Sequence, residues 1–133
     1  MSKLKRQKMP TFWPLERKMK KYAVAPSPGP HAKGACLPIG IILRDVLKVA
    51  GTMKEAREIL KTGVVVIDGK KRLRHNFPVG FMDVVEIGNE RYRVLTGNRG
   101  LYLKNIASQK EAGTKLCRVD NKTTLRKGKT QLN

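Results

Sequence analysis

The chain has 133 residues, enough for one domain or a small domain with extensions, and carries 29 Lys+Arg against 10 Asp+Glu for a formal net charge of +19 and a pI near 10.5. A small soluble domain gains solubility from a net charge of roughly 2 to 8; far beyond that, self-repulsion opposes folding, and a polyanion that neutralises the charge is the simplest reason to keep it. Nucleic acid comes first as that polyanion; a membrane is disfavoured because no run approaches the roughly 18 apolar residues of a spanning helix and no apolar segment follows the N-terminal cations as in a secretory signal.

Residues 1–38 read as an extended basic arm. Lys3, Lys5, Arg6, Lys8, Arg17, Lys18, Lys20, Lys21 and Lys33 lie here, with six prolines between Pro10 and Pro38. Proline fixes φ and disfavours helix before itself, and no period of 3.6 or 2 runs long enough to build a core. Phe12, Trp13 and Tyr22 are interleaved with the cations, which suits stacking on bases beside phosphate contact. A disordered tail would have a similar composition; the aromatics favour an arm that orders on a partner.

Residues 39–96 carry the structured signal. Ile39, Ile42, Leu43, Val46, Leu47 and Ala50 repeat as one helical face, ended by Gly51. Thr52-Met-Lys-Glu55 is a capping box opening a second helix, stopped by Gly63. On that helix Met53, Ala56, Ile59 and Leu60 face inward, Lys54, Arg57 and Lys61 share one flank, and Glu55 and Glu58 fall on the other. Separation of sign by flank points to an anionic partner, where an ordinary solvated face would mix the charges. Arg44 and Lys48 repeat the pattern on the first helix, one turn apart. Val64 to Ile67 reads as a buried strand and Asp68-Gly69 as a type I′ hairpin turn. The return arm holds Lys70, Lys71, Arg72 and Arg74. Alternation places Lys70, Arg72 and Arg74 on one face and turns Leu73 to the core. Read alone, this run favours a solvated edge that resists aggregation; its position directly after the sorted cationic flank of the second helix reverses that preference. "FPVGFMDVVEI" (77–87) is a turn and strand, and "RYRVL" (91–95) a further strand after the break at 88–90.

Residues 97–133 look like the beginning of a β-rich domain. "GNRG" is a turn, "LYLKNI" a strand and "ASQKEAG" a helical turn; "KLCRV", "TTL" and "KTQL" are short strands that need neighbours.

No catalytic constellation is evident. His31 and His75 sit in basic contexts without an acidic or thiol partner nearby in sequence, the acidic residues are scattered, and no phosphate-binding glycine loop occurs. Cys36 and Cys117 lack zinc-site spacing and are expected as free thiols. No catalytic residue, metal, cofactor or small-molecule substrate is therefore expected.

Two short helices, a hairpin with "V-x-I-D-G" and a small closing sheet resemble the S-four (αL-motif) RNA-binding domain, which implies an RNA-contacting surface made of the second helix and the hairpin. The flanks sharpen this. "LKR" at 4–6, Trp13, "PGPH" at 28–31, "LRD" at 43–45, "FPVGFMDVVEI", "YRVL" and "KLCRVDNKTT" at 115–124 together resemble the small-subunit ribosomal protein S-four-e family, most like its archaeal members. The resemblance implies an α+β fold: an S-four-type domain over 39–96, preceded by the arm and followed by a central β domain that is apparently truncated, since family members are about twice this length. It implies a cytoplasmic structural constituent of the small subunit, partnered by ribosomal RNA and neighbouring ribosomal proteins and without catalysis; a free-standing RNA-binding factor of ribosome rescue or stress is the alternative. The expected RNA-binding residues are Lys3, Lys5, Arg6, Lys8, Trp13, Arg17, Lys18, Lys20, Lys21, His31, Arg44, Lys48, Lys54, Arg57, Lys61, Lys70, Lys71, Arg72 and Arg74.

Overall fold

The computed structural model describes residues 3–133 and mixes helix and strand around a five-stranded antiparallel sheet. Strand β1 (Leu4–Lys5) pairs with β2 (Tyr22–Ala23). β3 (Cys36–Pro38) runs into helix α1 (Ile39–Ile41), which widens at once into a π-helical turn over Ile42–Val46. Helix α2 spans Met53–Lys61. Then come β4 (Val65–Ile67), β5 (Lys70–Lys71), β6 (Pro78–Gly80), β7 (Val84–Ile87), β8 (Glu90–Gly97) and β9 (Gly100–Asn105). The one-turn helix α3 (Gln109–Ala112) leads to a last hairpin, β10 (Lys122–Thr124) and β11 (Thr130–Leu132). The main sheet has the order β5-β4-β7-β8-β9, and β3 pairs separately with β6.

Local chemistry sets α2. Thr52 Oγ1 accepts the Glu55 N–H at 3.2 Å, and the Glu55 carboxylate accepts the Gly51 N–H at 2.7 Å. This is a capping box whose return bond lands one residue earlier than in the usual form. Gly63, at φ +75°, stops the helix in a left-handed conformation that glycine adopts without strain. At the next turn Asp68 (φ +49°) and Gly69 (φ +78°) both take the positive φ of a type I′ turn. The Asp68 carboxylate accepts the Val84 N–H at 2.9 Å and ties the turn to β7.

Several boundaries differ from expectation. The first helix does not reach Ala50. Its ladder closes on Leu47, whose N–H donates to Ile42 O at 2.9 Å, and Lys48 turns to φ +54°. Ala50 is buried because the chain folds back, with the Val49 and Ala50 N–H groups both donating to Leu43 O. The buried strand begins at Val65, leaving Val64 exposed. Leu73 is 58% exposed and does not face the core. Alternation holds only while strand pairing continues, and β5 ends at Lys71. Of the expected C-terminal strands, "KLCRV" forms none. The boundary expected between 96 and 97 falls within the β8–β9 hairpin, where Gly97 pairs with Gly100, so residues up to Asn105 belong to the main sheet.

The arm is corrected most. Its first two residues lie outside the described residues. The rest is irregular but folded onto the domain: Leu4, Met9 and Trp13 are buried in the same apolar cluster as Ile39, Ile42, Leu60, Val85 and Val94. Trp13 is 3% exposed, and its indole N–H donates to Cys36 O at 2.9 Å. Burial pushes the Cys36 thiol up to about 11, which leaves it a poor nucleophile.

Candidate nucleic-acid interface

Lys54, Arg57 and Lys61 stand exposed along one flank of α2. Lys61 reaches Glu58 at 3.4 Å, but both side chains are solvated, so the pair contributes little and leaves the ammonium available. The return arm of the β4–β5 hairpin lies against this flank at two points. The Lys71 side chain runs past Gly63, so that a Cβ there would sit 3.6 Å from its Cδ. The Arg57 guanidinium meets His75 Nε2 at 3.3 Å. The His75 imidazole is held below its ordinary value by burial and then by the Arg57 charge. Lys70, Lys71 and Arg74 are exposed. Arg72 is not equivalent to them: its guanidinium lies over the Phe77 ring at 4.4 Å, and its Nε has no hydrogen-bond partner among the described residues. Helix flank and hairpin thus form one cationic surface.

The N-terminal segment adds a second cationic region. Lys5, Lys8, Lys18, Lys20 and Lys21 are exposed. Arg17 donates to Gln7 O at 2.8 Å and Met9 O at 3.3 Å, bracing the turn that holds Met9 inside. Lys3 and Lys21 place their ammonium groups 5.6 and 5.5 Å from the Tyr22 ring centre. Between this segment and α2 lies a cleft of about 390 Å³ whose walls include Lys3, Lys20, Tyr22, Arg44, Arg57 and His75. Arg44 is partly neutralised by Asp45 at 3.0 Å. Lys48 stands exposed at the end of the first helix.

Three expected contacts are displaced by packing. Trp13 cannot stack on a base, because its ring is inside the core and its N–H is taken. Arg6 is buried and donates through Nη1 to Glu16 O at 2.9 Å. His31 is turned to a carboxylate: its Nε2 lies 2.7 Å from Asp83 Oδ2.

That last contact belongs to a charged cluster that sequence reasoning missed. Asp83, 2% exposed at its side chain, also accepts the Gly80 N–H at 3.1 Å and the Lys115 ammonium at 2.7 Å. Lys115 donates in turn to Asp68 at 2.9 Å. Burial works to raise the Asp68 carboxyl, but hydrogen bonds from Lys115 and Val84 outweigh it and hold the group below its ordinary value. Lys115 is raised: its burial acts the other way and is outweighed by the bonds to Asp83 and Asp68. Arg93 completes the anchoring of the chain after β9, donating to the carbonyls of Met82, Glu111 and Thr114. The side-chain partners His31 and Lys115 lie 52 and 32 positions from Asp83 in sequence, and no local signal could pair them. His75 was absent from the expected site, and Tyr22, read with Phe12 and Trp13 as a stacking aromatic of the arm, is the one of the three left exposed.

Comparison with known proteins gives a consistent picture. Two family models match, the RS4NT (NUC023) domain over residues 2–34 and Ribosomal family S4e over residues 88–133. The small ribosomal subunit protein eS4 of Methanothermobacter thermautotrophicus is 50% identical over 132 residues, covering 98% of this chain and 54% of the relative. That of Caldivirga maquilingensis is 42% identical over 135 residues, covering 100% and 57%. The crystal structure of the 30S ribosomal protein S4e from Thermoplasma acidophilum is similar with a TM-score of 0.59 at 36% identity, over 74% of this chain and 51% of that one. The chain spans about half the length of the relatives it matches.

Proposed function

Because this chain belongs to the S4e family of ribosomal proteins, we propose that it is a non-catalytic structural constituent of the small ribosomal subunit that binds ribosomal RNA beside neighbouring ribosomal proteins in the cytoplasm. The structured unit is an S-four-type domain with its N-terminal segment folded back upon it. The observation that carries this reading is the joining of the α2 flank and the hairpin return arm into one cationic surface, through Lys71 at Gly63 and Arg57 at His75. Lys54, Arg57, Lys61, Lys70, Lys71 and Arg74 make the contacts there, and Lys5, Lys8, Lys18, Lys20 and Lys21 extend them along the N-terminal segment. Arg72 and Arg17 act by holding that surface in shape. Folded RNA is recognised mainly by shape and phosphate geometry, so the binding is strongly salt-dependent with little simple sequence preference.

If six to ten phosphates are contacted, affinity for a small-subunit ribosomal RNA fragment falls by roughly 10³ to 10⁵ between 50 and 200 mM salt. A titration over that range tests the reading, and a salt-insensitive complex would overturn it. Retention of the protein on small subunits washed in high salt separates a stoichiometric constituent from a dissociable factor.

A further inference from the structure

We propose that the cleft between the N-terminal segment and α2 is a subsite for one unpaired RNA nucleotide, its base stacked on Tyr22 and its phosphate held at the Arg44–Arg57 end. The inference rests on the RNA-binding reading above and deepens it. Tyr22 is 43% exposed although it lies on a paired strand, opposite Lys5. The backbone that carries the ring is therefore held in place while the ring is open to solvent. Such a preordered aromatic suits splayed-out bases, which stack on side-chain rings in sequence-tolerant fashion. The cleft volume, about 390 Å³, falls at the low end of the roughly 300–1,000 Å³ of pockets that enclose small ligands. A duplex presents its phosphates on convex ridges and suits the flat α2–hairpin surface better than this hollow.

The charge in the cleft has one sign. Lys3, Arg6, Lys20, Arg44 and Arg57 line it with no carboxylate among the lining residues, and Arg44 is shared with Asp45 just outside at 3.0 Å. Its floor includes Leu4, Val24 and Met53, apolar surface for the edge of a base or sugar. His75 accepts from Arg57, so its ring helps aim the guanidinium fork at an anion. Lys3 and Lys21 are near the Tyr22 ring now, but at 5.6 and 5.5 Å from its centre they are close to the roughly 6 Å limit of a cation–π contact. On flexible stems they swing to the phosphate when a base takes the ring face.

The test measures affinity of the purified chain for a single-stranded adenosine hexanucleotide and for a fully paired RNA hairpin at one salt concentration. Tyr22→Leu weakens hexanucleotide binding on the order of 10-fold and leaves the paired hairpin within about twofold. Tyr22→Phe and Tyr22→Trp, which keep a ring, retain the hexanucleotide affinity. Circular dichroism of each variant confirms that the exposed substitution leaves the fold intact. Equal affinities for Tyr22→Leu and the parent on the hexanucleotide overturn the subsite while leaving the cationic surface standing. A parallel loss on both RNAs also overturns it, because Tyr22 would then act through the fold. A parent chain that binds neither RNA defeats the broader reading instead.

Discussion

Arg6, Arg17 and Arg93 turn their guanidinium donors onto backbone carbonyls of the chain itself, and Arg72 lies on Phe77. The lysines of the N-terminal segment, α2 and the hairpin are exposed. A planar fork with five donors can satisfy several buried carbonyls at once, whereas an ammonium is a hydrated point charge best left at the surface. The sequence marks every cation but not this division, because the carbonyls an arginine reaches are set by packing. Trp13 makes the same point: flanked by cations in sequence, it reads as a stacking residue, yet it is a core anchor. Trp13→Phe keeps most of the apolar volume but leaves Cys36 O without its donor. The substitution costs about 1–2 kcal/mol of stability and leaves RNA affinity unchanged at temperatures where the variant is folded. A loss of affinity without a loss of stability would return Trp13 to the interface.

At the scale of elements, what was legible was local. Thr52 and Glu55 bracket a helix start, and Asp68-Gly69 imposes a turn through backbone sterics alone; both appear as read. What depends on a distant partner was not legible. The end of the first helix is decided by the return of Val49 and Ala50 to Leu43, and the length of β5 by how far β4 can pair with it. The flank of α2 was legible as a sorted face, but its junction with the hairpin needed the fold. That junction suggests which charge reversals are informative. Lys54→Glu with Lys70→Glu changes two exposed ammonium groups outside that junction, weakens RNA binding and reduces the slope of log affinity against log salt by about 2 in magnitude. Reversal at Arg57 and Arg72 is a poorer probe, since it also removes the contacts to His75 and Phe77. An unchanged slope in the lysine double variant would return this face to a plain solvated edge.

Across the whole molecule, the N-terminal segment is the part least visible in sequence. Leu4, Met9 and Trp13 follow no helical or strand period, and prolines separate them from the domain they enter. The charged cluster at Asp83 fastens this segment, through His31, to the sheet and to the chain after β9. Asp68 and Lys115 give it a pH dependence. Asp68 is lowered from 3.8, so its contribution is present above that value and is lost as pH falls through its folded value below it. Lys115 is raised from 10.5, so its contribution is present below that value and is lost as pH rises through its folded value. The Asp68 and Lys115 contributions are thus constant between about pH 5 and 9, and thermal melts detect their loss at either extreme. Lys115→Met costs about 1 kcal/mol at neutral pH, a small figure because the Lys115 side chain is 37% exposed and His31 still faces Asp83. A melting temperature unaffected by that substitution would show that the cluster does not fasten the fold.

The same cluster bears on the order in which the protein is made. Asp83 leaves the ribosome after His31 but 32 residues before Lys115, so a growing chain holds a carboxylate destined for burial before one of its two side-chain partners exists. This cluster therefore closes only after residue 115 has emerged. Chains arrested before residue 115 are expected to be cut by protease around Asp83, and chains arrested well beyond it to resist.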